Sequence, residues 1–64
     1  MQRFRITTTE GEGTEQTWVL LPDSASAIMQ AEELSQREKR LRVRIYREGT
    51  GESPEMIQDL PPRR

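Results

Sequence analysis

Leu41-Arg42-Val43-Arg44-Ile45-Tyr46-Arg47 alternates aliphatic side chains with basic and aromatic ones, and its reading decides the fold. Strict alternation is the period of a β-strand, whose successive side chains point to opposite faces. Leu41, Val43 and Ile45 therefore face a core, and Arg42, Arg44 and Tyr46 face the other way. One side of this strand needs cover and the other offers charge.

Working backward, the spacing Ala27, Ile28, Ala31 and Leu34 forms one apolar stripe at helical period, with Gln30, Glu33 and Arg37 off it. Pro22-Asp23-Ser24 opens this helix with Asp23 as N-cap, and the cations Arg37, Lys39 and Arg40 suit its C-terminal end. The helix is expected to run to about Arg40, with Glu33 and Arg37 as an i,i+4 pair. Its small alanines allow close approach to a sheet.

Two strands precede the helix. Gln2 to Thr9 places Phe4, Ile6 and Thr8 on one face and Arg3, Arg5 and Thr7 on the other. Glu10-Gly11-Glu12-Gly13 supplies two glycines able to take positive φ in a hairpin turn, and its glutamates argue against a phosphate-cradling loop. In the strand from Thr14 to Leu21, Trp18-Val19-Leu20-Leu21 is continuously apolar. Either Gln16, Trp18 and Leu20 or Thr17, Val19 and Leu21 face the core. A small domain needs its single Trp for burial, which favours the first set; the second makes Trp18 a binding anchor beside Tyr46.

After Arg47, Gly49 to Pro54 reads as a flexible connector. Ser53-Pro54-Glu55 is expected to start a short helix ending at Leu60, before Pro61-Pro62. Such a helix does not persist alone, so Met56, Ile57 and Leu60 dock on the body, pack on a partner or stay disordered.

The expected architecture is α+β: a ββαβ domain over residues 1–48, with a three-stranded sheet, strand one central and one helix on one face. Residues 49–64 form a flexible or partner-docking C-terminal tail. The expected core is Phe4, Ile6, Trp18, Leu20, Ile28, Ala31, Leu34, Leu41, Val43 and Ile45. Sixty-four residues allow only one thin core.

Composition narrows the chemistry. Neither cysteine nor histidine is present, which removes disulfides, thiol catalysis, thiolate metal sites and the Ser-His pair. The carboxylates show no spacing that suggests an acid/base pair or a metal cage, so the chain reads as a non-enzyme without cofactor. It has no apolar run of membrane-spanning length and no signal-peptide layout, so the expected location is cytoplasmic, without membrane partners.

The formal net charge of −1 hides segregation. Arg3 and Arg5 on strand one and Arg42, Arg44 and Tyr46 on strand three meet on the sheet face that one helix leaves uncovered. Guanidinium groups beside an aromatic suit a protein interface or stacked single-stranded nucleic acid. These five residues are the candidate partner-binding site. The first reading is a host-protein-binding module; the alternatives are a nucleic-acid binder using the same face and a homodimer formed through it or through a free strand edge. Ordinary solvating arginines explain the same pattern without a partner.

The ββαβ order from Gln2 to Arg47, the short length and Arg42-Val43-Arg44 on the last strand resemble small phage-encoded inhibitors of bacterial RNA polymerase, whose last-strand arginines contact the enzyme. The resemblance implies a phage or mobile-element inhibitor or regulator that binds a host protein through a sheet face. The acidic strip on the helix side of those inhibitors has no clear counterpart here.

Overall fold

The computed structural model describes residues 1–49 and 53–63. Strands β1 (Gln2–Glu10) and β2 (Gly13–Leu21) form a hairpin, helix α1 (Ser24–Arg37) crosses over, and β3 (Arg42–Arg47) and β4 (Glu55–Leu60) follow. The sheet order is β2-β1-β3-β4, with every neighbouring pair antiparallel. One helix packs on one face of this sheet, as the α+β reading requires.

The fourth strand corrects the expected three. Glu55–Leu60, anticipated as a short helix, pairs with β3 instead. A six-residue helix gains little from its own hydrogen bonds. In the sheet, the same segment covers what would be a bare β3 edge, brings Ile57 and Leu60 against the core and places Asp59 opposite Arg44. The ladder slips between Ile45 and Tyr46, which pair with Gln58 and Met56, so Ile57 is the extra residue of a bulge. Beyond β4 the chain reaches the C-terminal end of α1. There the Arg63 N–H donates to the Lys39 carbonyl at 2.7 Å and its Nε donates to buried Ser35 Oγ at 3.3 Å. Of the expected connector, residues 50–52 lie outside the described residues.

The hairpin corrects the facing of β2. Within the turn, Gly11 has positive φ, at +60°, and Glu12 does not; this is the pattern of a type II′ turn with Gly at its first central position. The two-residue turn pairs Glu10 with Gly13, and the register then runs unbroken to Gln2 and Leu21. Phe4 and Ile6 point to the core opposite Val19 and Thr17, so Trp18 and Leu20 point away from it. Trp18 is 47% exposed and Leu20 64% exposed, whereas Val19 and Leu21 pack on the core.

The buried core is Phe4, Ile6, Ala27, Ala31, Val43 and Ile45. Of the remaining expected core residues, Leu34 and Leu41 pack against it half-buried, and Ile28 is half-buried. The Asp23 carboxylate accepts from the Ser26 N–H at 2.8 Å, which caps the helix and lowers its pKa. The helix ends at Arg37, three residues early, where the Glu38 N–H closes on the Leu34 carbonyl at 2.8 Å. The expected Glu33–Arg37 pair is not among the ion pairs of the described residues. With alanines beneath it, α1 settles over β3 and β4 and barely reaches β2. No helix among the described residues is long and apolar enough to cross a membrane.

Candidate protein-binding face

Alternation places Arg3, Arg5, Arg42, Arg44 and Tyr46 on the helix-free face, and the strand registers divide that face into two halves. In one half, Trp18 on β2, Arg5 on β1, Tyr46 on β3 and Met56 on β4 stand in one row across the sheet. Arg3 and Leu20 form the next pair along. In the other half, Gln16, Thr7, Arg44 and Asp59 make one row, and Thr9 stands opposite Arg42. The five sequence-derived residues share a face without forming one uniform basic patch.

In the polar half, two arginines share one carboxylate, which offsets part of their charge. Arg42 donates from Nε to Asp59 Oδ1 at 3.0 Å and from Nη2 to Oδ2 at 2.7 Å, a two-bond fork on one carboxylate. Arg44 Nε lies 3.6 Å from the same Oδ1. Hydrogen bonding from Arg42, opposed by partial burial and helped by both positive charges, lowers the Asp59 pKa; the same bond raises that of Arg42. Asp59 thus holds two of the candidate arginines against the sheet. Sequence reading missed it because its segment was assigned to a helix.

The other half is aromatic and apolar around a central guanidinium. Arg5 stacks over the Tyr46 ring, its Cζ 4.8 Å from the centroid, and Arg3 lies 6.0 Å from the centroid of Trp18. Glu48 reaches this group because its backbone N–H donates to the Arg3 carbonyl at 3.0 Å. Its Oε1 accepts from Trp18 Nε1 at 3.3 Å and lies 3.4 Å from Arg5 Nε. That Nε is buried and too poorly aligned to hydrogen bond, so the Arg5–Glu48 contact is a Coulomb pair only. Among the described residues, Arg3 has no carboxylate partner.

Trp18, Leu20 and Met56 leave large apolar area open beside these rings, with Met56 52% exposed. The signal for Trp18 was present in the loop length: a short turn joining strands at Thr9 and Thr14 already sets Phe4 opposite Val19. Residues 55–60 carried no comparable signal.

Among the described residues, no three acidic side chains gather as a metal site would need. No family model, curated protein or solved structure matches this chain.

Proposed function

We propose that this chain is a non-enzymatic protein-binding module that docks a host protein on its helix-free sheet face, as an inhibitor or regulator encoded by a phage or mobile element. The row Trp18–Arg5–Tyr46–Met56 carries this reading. Interfaces concentrate their binding energy in Trp, Tyr and Arg, and exposed Trp18, Leu20 and Met56 supply apolar area that water solvates poorly. The resemblance in element order from Gln2 to Arg47 supports the inhibitor class, and the fourth strand, whose Asp59 pairs with Arg42 and Arg44, departs from it. Because Asp59 occupies Arg42 and Arg44, the centre of the contact moves to Trp18, Arg5, Arg3 and Tyr46.

Charge ranks protein above nucleic acid as partner. A single-stranded nucleic-acid groove needs unpaired cations along the backbone path, but Asp59 and Glu48 stand beside Arg42, Arg44 and Arg5. Affinity capture from bacterial lysate, with the natural chain and Trp18→Ala/Arg5→Glu in parallel, tests the reading. A protein retained by the first and lost by the second is expected. Identical retained proteins, or a salt-sensitive oligonucleotide complex in place of a protein one, overturn it.

A further inference from the structure

The two edges of the sheet differ. The β4 edge is short, interrupted by a bulge and followed by Pro61-Pro62, three features that discourage strand pairing. The β2 edge runs nine residues in unbroken register, and Glu15 is the only charged residue along it. Antiparallel bonding alternates outward from the two-residue turn, so Thr14, Gln16, Trp18 and Leu20 direct their backbone N–H and C=O groups away from β1. They form a ready template for another strand.

Space for the side chains of that strand exists beneath the edge. Because α1 sits over β3 and β4, a groove of about 440 Å³ opens between it and β2. Ile6, Val19, Leu34 and Leu41 contribute its apolar surface. Among the described residues, Glu15, Glu33 and Glu38 line it against the single cation Arg37.

We infer that the β2 edge takes up an extended segment of another protein as a fifth strand, one that alternates Lys or Arg with aliphatic residues. Basic side chains on its inner face lay their stems on Val19 and Leu34 and bring their charges to the three glutamates. The intervening aliphatic residues fall beside Trp18 and Leu20 on the opposite face. A second copy fits less well, since pairing β2 with β2 gathers the acidic groups of both copies along one trough. This edge borders the face proposed above and shares Trp18 and Leu20 with it, but its outward backbone groups and acidic groove do not involve Arg5 or Tyr46.

The test uses the full chain at low salt and a blocked peptide alternating valine and lysine, matched to the nine residues of β2, with a valine–glutamate peptide as control. Amide exchange at Thr14, Gln16, Trp18 and Leu20 is expected to slow by about tenfold or more on adding the basic peptide, and to stay unchanged with the acidic one. Glu33→Lys/Glu38→Lys, exposed and compatible with the end of a helix, is expected to weaken the basic peptide by about tenfold or more. Arg5→Glu/Tyr46→Ala is expected to bind it as before, so failure here leaves the sheet-face reading standing. No protection at the four amides, equal binding of both peptides, or full binding by the charge-reversed variant overturns the inference. So does a concentration-dependent dimer, seen by sedimentation without peptide, that protects the same amides.

Discussion

Arg5 and Tyr46 are direct cross-strand partners, and the guanidinium of one lies over the ring of the other at 4.8 Å. This contact joins β1 to β3 at the centre of the helix-free face. Stacking of this kind restrains both side chains, and on the proposed binding face such restraint would lower the ordering cost of an interface. A double-mutant cycle of Arg5→Ala and Tyr46→Ala in chemical denaturation is expected to give a coupling of about 0.5–1 kcal/mol, typical of a partly exposed cation–π pair. A coupling near zero would show that the stacking is incidental.

Asp59 makes the fold sensitive to acid. Its folded pKa lies below the ordinary aspartate value, because Arg42 and Arg44 favour the carboxylate. The stabilisation is therefore complete above the unfolded aspartate pKa of about 4 and is lost as pH falls through the lowered folded value. Asp59→Asn is expected to reduce Tm by a few degrees at neutral pH and to flatten the acid limb of the Tm–pH curve. An unchanged acid limb would assign that pH dependence to other carboxylates.

The facing of β2 has a direct mutational readout. Leu20→Ala, on the open face, is expected to change stability by no more than about 0.5 kcal/mol. Ile45→Val, at a fully buried position, is expected to cost about 1 kcal/mol from one lost methyl group. Trp18 fluorescence is expected to be readily quenched by a soluble quencher. A larger loss at Leu20 than at Ile45 would mean that the two faces of β2 are exchanged.

A chain ending at Glu48 tests the contribution of β4. Truncation removes Ile57 and Leu60 from the core edge and Asp59 from its two arginines. It also leaves β3 as an unpaired edge beside Val43 and Ile45, which are fully buried in the intact fold. Loss of a cooperative thermal transition in far-ultraviolet circular dichroism is the expected result. A sharp melt at the Tm of the full chain would make residues 1–48 a self-sufficient unit.

Periodicity in the sequence determined three strands, the helix, its Asp23 cap, the hairpin and the shared face of Arg3, Arg5, Arg42, Arg44 and Tyr46. Each of these follows from local spacing: two residues per strand repeat, three or four per helix turn, and glycine where the chain reverses. The facing of Trp18 needed both local pattern and strand pairing. The apolar run from Trp18 to Leu21 has no period of its own, and only coupling its strand to Phe4 and Ile6 through the turn places the indole on the outer face.

The last strand was decided by tertiary structure alone. Ser53-Pro54-Glu55 carries helix-start chemistry, but a local preference worth little in six residues yields to the pairing, burial and charge that β3 offers. That same pairing ties Arg42 and Arg44 to Asp59, a residue 17 and 15 positions away in sequence. The stretch Leu41–Arg47 announced which side chains would face outward; only the neighbouring strand across the sheet determined which of them are paired with a carboxylate.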